Sequence, residues 1–141
     1  MPRLPDLGAV REYLEGQGWV DMEVYSAGSR SSLVLALDQD LTYHHSAALV
    51  FAEPSYFAGP LHWTSAADGG SVIRVLSSEE RGSMPDAEAA RAEGFLFEIR
   101  TDEGTAVLIG ASGVTLDPGR VYYYPRENLQ PGESLAYWVS G

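Results

Sequence analysis

Between residues 95 and 109 the chain alternates in character at every second position on both sides of a turn. Phe95, Phe97 and Ile99 alternate with Leu96, Glu98 and Arg100, Asp102-Glu103-Gly104 supplies turn chemistry, and residues 105 to 109 resume the extended pattern. Successive side chains of a strand point to opposite faces, so a period of 2 turns one row inward and leaves the other at the surface. A helix with its period of 3.6 cannot sort these residues that way, and the segment predicts a hairpin.

The same alternation recurs along the chain. Val20, Met22 and Val24 alternate with Asp21, Glu23 and Tyr25; after a polar turn containing Gly28, Leu33, Leu35 and Leu37 share a face. Residues 41 to 53 extend too far for one straight strand and predict a bulge or bend near His45 and Ser46. Short strands are expected at 61 to 65, 72 to 77, 114 to 116, 121 to 124 and 135 to 139, with Ala67-Asp68-Gly69-Gly70 as a turn signal. Leu7, Val10 and Leu14 instead fall at helical spacing, which predicts an N-terminal helix capped by Asp6, stopped at Gly16 and anchored by Tyr13 and Trp19. Residues 78 to 93 are polar, carry only alanines to bury and end at Gly94, so one short surface helix is expected there.

These elements predict a mainly β fold, an antiparallel β-sandwich or barrel-like sheet of about eight to ten strands with an N-terminal helix and one short surface helix. The 141 residues are expected to form a single globular domain, 1 to 141, with Leu35, Val50, Phe97, Val107 and Trp138 in its core.

Composition narrows the chemistry. Cysteine is absent, which removes disulfides, thiolate metal sites and cysteine nucleophiles. All nine basic residues are arginines, so the lysine of a P-loop, of a pyridoxal Schiff base and of a Ser-x-x-Lys site is missing. The bias toward arginine, alanine and glycine is that of a G+C-rich bacterial coding sequence. Neither a signal-peptide h-region nor a run of membrane-spanning length is present, and together with the lack of cysteine this predicts a soluble cytoplasmic protein with no membrane association. A net charge of -11 repels phosphate backbones, which predicts no nucleic-acid binding and favours a basic protein partner.

The stretch from 45 to 63, HSAALVFAEPSYFAGPLHW, concentrates hydrophobic mass, backbone punctuation and titratable groups. Its candidate binding residues are Glu53, read as a buried acid, and Tyr56, Phe57, His62 and Trp63, read as aromatic anchors of a projecting loop. The histidines His44, His45 and His62 with Glu53 have the residue types of a metal site but not the spacing. Adjacent His44 and His45 point to opposite faces of a strand, and neither His-x-His nor His-Glu-x-x-His is present, so no metal or other cofactor is expected. Gly132-Glu133-Ser134 superficially resembles a nucleophile elbow, but a proline loop precedes Ser134 and only seven residues follow it. A second group of aromatics is Tyr122, Tyr123, Tyr124, Tyr137 and Trp138, with Tyr122 and Tyr124 on one face, and core or cross-strand packing is the competing reading for the aromatics of both groups.

The leading functional expectation is therefore a non-catalytic acidic protein-interaction domain, inhibitor-like or immunity-like toward a basic partner. In composition it is similar to the immunity proteins that neutralise basic toxins. The alternative is a small-ligand-binding β domain that uses the aromatic 53 to 63 loop, and a hydrolase or metal enzyme centred on Glu53 and His62 comes third.

Overall fold

A computed structural model describes residues 5–26, 31–66 and 72–139, and within them the fold is mainly β. A helix, α1 (Gly8–Gln17), leads into strands β1 (Trp19–Ser26), β2 (Ser32–Asp38), β3 (His44–His45), β4 (Ala47–Ala52), β5 (Tyr56–Ala58), β6 (His62–Ala66) and β7 (Ile73–Val75). Two single-turn helices follow, α2 (Ser78–Gly82) and α3 (Ala87–Ala90), and then β8 (Phe95–Arg100), β9 (Ala106–Ala111), β10 (Gly113–Asp117), β11 (Arg120–Tyr122) and β12 (Glu133–Leu135).

The strands form three sheets: five strands in the order β10-β4-β2-β1-β6, four in the order β5-β9-β8-β7, and a small sheet β12-β11-β3. None closes into a barrel. The two larger sheets share one core in a sandwich-like arrangement, with Met22, Leu35, Leu37, Leu49 and Phe51 from the first and Ile73, Phe97, Ile99, Val107 and Ile109 from the second. Phe51 meets Phe97 edge to face at 5.4 Å, a geometry that aligns the positive rim of one ring with the negative face of the other. Helix α1 adds Val10 and Leu14 to this core and its N-cap residue adds Leu7, and Arg11 donates to the carbonyl of Ile73, tying the helix to β7.

The hairpin expected at 95 to 109 is present as β8 and β9, paired from Phe95 with Ala111 to Arg100 with Ala106. Residues 41 to 53 break at Ser46 into β3 and β4, where a bend was expected. The turn signal Ala67-Asp68-Gly69-Gly70 lies outside the described residues.

Several local expectations are corrected. Helix α1 begins one residue later than an Asp6 cap implies, although Asp6 Oδ1 still accepts from the Gly8 N–H at 2.8 Å. It runs past Gly16 and stops at Gly18, whose N–H still donates to the Leu14 carbonyl and whose positive φ of 78° turns the chain out of the helix. Trp19 is exposed while Tyr13 packs against the core, so only one of the two expected anchors serves. The polar segment forms two helical turns because it holds two capping signals: Ser77 and Glu80 make a reciprocal capping box, and Asp86 accepts from Glu88 and Ala89. Val50 is half-buried, and Trp138 is 52% exposed, so the core expected from Leu35, Val50, Phe97, Val107 and Trp138 holds for three of the five.

The C-terminal region departs furthest. Here β12 is shorter and earlier than the strand expected at 135 to 139, and it lies parallel to β11, the one parallel ladder among the described strands. Residues 123 to 132 separate the two strands and carry the chain back so that β12 runs in the same direction as β11.

Candidate functional site

The small sheet presents two different faces. In β3 His45 pairs with Val121 and His44 with Tyr122, so the pleat sends His44 and Tyr122 to one side and His45 and Tyr123 to the other. The sheet is held to β2 by a hydrogen bond from the Ser46 N–H to the Leu37 carbonyl, and Ser46 Oγ donates to Asp38 at 2.6 Å.

On the His45 face this imidazole is 2% exposed, and its Nδ1 lies 2.7 Å from the Tyr123 hydroxyl. Burial pushes the imidazole down to about 4, against the weaker opposing pull of Asp38 and Asp117, so His45 is neutral at pH 7. Burial, with a smaller contribution from Glu23, raises the Tyr123 phenol. Tyr25 packs edge-on to His45 at 4.9 Å, and its hydroxyl accepts the backbone N–H of Tyr137 at 3.1 Å, fixing the C-terminal segment against β1. Tyr25, Tyr123, Tyr137 and Trp138 then form one cluster with ring centroids 5.0 to 6.4 Å apart.

This cluster borders a concavity of about 460 Å³ that also contains Glu23. A second concavity of about 380 Å³ shares Glu23, Leu41 and Thr42 with it and adds Asp21, Asp40 and His62. Register explains the acidic lining. Met22 and Trp63 pair across β1 and β6 with their side chains buried, which leaves Asp21, Glu23, His62 and Thr64 on the opposite side of the same two strands. Thr64 Oγ1 donates to Asp21 at 2.5 Å. An aromatic cluster beside carboxylates attracts cations twice, through ring quadrupoles and through charge.

On the other face a concavity of about 560 Å³ is lined by Tyr43, His44, Arg120, Tyr122, Tyr124 and Arg126. Arg126 lies over the Tyr122 ring with its guanidinium carbon 4.3 Å from the centroid and donates to the Tyr124 hydroxyl at 3.2 Å. Tyr122 in turn donates to Glu133 at 2.7 Å, and His44 Nε2 lies 3.4 Å from Asp38. Backbone donation from Gln130, helped by the Tyr122 hydroxyl, holds the Glu133 carboxyl below the usual range.

The structure disperses the residues expected from the 53 to 63 stretch. Glu53 is exposed, at a turn where its φ is 48° and its N–H donates to the Ser31 carbonyl, and is not a buried acid. Tyr56 lies in β5 and donates to Asp86 at 2.6 Å, and Phe57 packs against the main core. Trp63 is 5% exposed inside that core, so it does not project as an anchor. His62 alone of the five reaches one of the concavities above. Among the described residues no group of three or more His, Asp and Glu side chains is placed to hold a metal ion, and no helix is long and apolar enough to cross a membrane.

The residues that do meet, Tyr25, His45 and Tyr123 on one face and Tyr43, Arg120 and Arg126 on the other, come from segments distant in sequence. The run Tyr122-Tyr123-Tyr124 was the available signal, and its alternation predicts two faces without saying what lies across from either. No protein-family model, no curated protein and no solved structure matches this chain.

Proposed function

We propose that the protein is a non-catalytic binding domain for a basic protein partner, and that it receives arginine or lysine side chains of that partner along the groove from Trp138 to Asp21. One observation carries this reading: the aromatic concavity of Tyr25, Tyr123, Tyr137 and Trp138 runs through Glu23 into the acidic concavity of Asp21 and Asp40. A cation entering there meets π-faces and carboxylates together, and the net charge of -11 accelerates its approach. Tyr137 and Trp138, 72% and 52% exposed, are amphipathic rings of the kind that dominate binding energy once water is excluded from them.

The test is calorimetric titration with a nona-arginine peptide and with a nona-glutamate control, at low and high salt. Binding of the arginine peptide alone, weakened by salt and by Trp138→Ala or Glu23→Gln, supports the reading. Binding indifferent to both substitutions refutes this groove. A turnover abolished by Glu53→Gln or His62→Ala would replace the reading with an enzymatic one.

A further inference from the structure

We propose that the concavity on the opposite face of the small sheet is a separate site for a small planar aromatic carboxylate. The argument begins with charge. In a chain of net charge -11, this concavity gathers Arg120 and Arg126, and among the described residues neither guanidinium forms an ion pair. Glu133 offsets part of their field, but its two oxygens already accept from Tyr122 and Gln130. Arg126 uses one donor on the Tyr124 hydroxyl and rests over Tyr122, so most of its five N–H groups remain for an acceptor at a fixed position. A carboxylate matches that fork with two parallel hydrogen bonds.

The rings define the remainder of the ligand. Tyr43 and Tyr124 meet edge to face at 6.2 Å, Tyr124 and Tyr122 at 5.7 Å, and His44 stacks on Tyr122 at 5.9 Å, so the walls are aromatic on more than one side. A flat π-system gains offset-stacked or edge contacts from such walls that an aliphatic group of equal area does not. A volume of about 560 Å³ suits a small molecule.

The net charge of -11 opposes the approach of any anion in proportion to the anion's own charge, so a monoanion is penalised less than a phosphate dianion or a nucleic acid. At contact distance the two guanidiniums dominate, and one carboxylate is held.

The experiment titrates the full chain with 2-naphthoate, its neutral amide, cyclohexanecarboxylate and 2-naphthyl phosphate. The expected result is saturable 2-naphthoate binding with Kd of about 1 mM or tighter, in keeping with roughly a dozen heavy atoms, and binding of the other three weaker by about tenfold or more. Arg126→Gln and Arg120→Gln should each weaken naphthoate by about tenfold without shifting the melting temperature, while Trp138→Ala leaves it unchanged. Absent naphthoate binding, equal binding of the amide or of cyclohexanecarboxylate, tighter binding of the phosphate, or indifference to both arginines would each overturn the assignment. Because Trp138 lies on the other face, failure here leaves the basic-partner groove standing, and failure there leaves this site standing.

Discussion

His45 and Tyr123 are joined by a 2.7 Å contact between Nδ1 and the phenol hydroxyl, although 78 residues separate them in the chain. The contact exists because β3 pairs with β11, and the pleat then delivers both side chains to one side of the small sheet. It also makes stability dependent on pH. Burial lowers the imidazole from 6.5 to about 4, so as pH falls below 6.5 the unfolded chain takes up a proton that the folded chain refuses. The contribution is complete above about pH 6.5 and is lost progressively toward about pH 4. At about 1.4 kcal/mol per unit, and allowing for water near the ring, we expect a loss of about 1 to 2 kcal/mol between pH 6.5 and 5. That window lies above the titration of ordinary carboxylates. Urea unfolding of the wild type and of His45→Gln across it should show the slope in the former and not in the latter.

Trp63 carries the indole Nε1 that, among the described residues, is buried without a hydrogen-bond partner. An orphaned buried donor costs about 1 to 3 kcal/mol, which offsets part of what the ring contributes. Trp63→Phe removes the donor and keeps most of the apolar bulk, and should change stability by about 1 kcal/mol or less. Trp63→Ala leaves a cavity and should cost about 3 to 5 kcal/mol. Denaturant midpoints compared at constant slope check both; a phenylalanine variant as damaged as the alanine variant would mean the indole N–H is satisfied in solution.

Phe97 and Trp138 should separate in the opposite sense to their expected common burial. Phe97, fully buried against Phe51, should cost about 3 to 5 kcal/mol on replacement by alanine. Trp138→Ala should cost about 1 kcal/mol or less, with its main effect on capture of the arginine peptide. Thermal unfolding and calorimetry on the two variants distinguish a structural from a binding role.

Gly94 and Gly104 both have left-handed backbones, with φ of 79° and 86°. A Cβ on Gly94 would stand 2.5 Å from the Ala111 carbonyl oxygen, whereas one on Gly104 meets nothing within 4 Å. Gly104→Ala therefore suffers backbone strain alone, about 1 kcal/mol, and Gly94→Ala adds a backbone clash that should bring its cost above about 2 kcal/mol. Equal losses in chemical denaturation would place the two glycines in equivalent surroundings and contradict the packing of Gly94 on β9.

By itself the sequence determined most of the strands and the direction of their side chains, though not β5 (Tyr56–Ala58), where a loop was expected, nor the bounds of β12. Leu33, Leu35 and Leu37 are buried as their alternation requires, and His44 and His45 face opposite ways. Alternation is a property of neighbouring residues, and it survives in any fold that buries one face of a strand. Only the tertiary structure decided which aromatic residues meet. Trp63 and Trp138 are the same residue type in comparable strand-like contexts, yet Trp63 pairs beside Met22 within the sandwich and Trp138 lies past the end of β12 at the rim of a groove. The tyrosine run 122 to 124 likewise promised two faces, and Arg120 and Arg126 flank it in sequence, but Glu23 and Tyr25 on one face and Tyr43 and His44 on the other arrive through pairings across tens of residues. Those pairings are selected by packing summed over whole sheets, and no local pattern of residues records that sum.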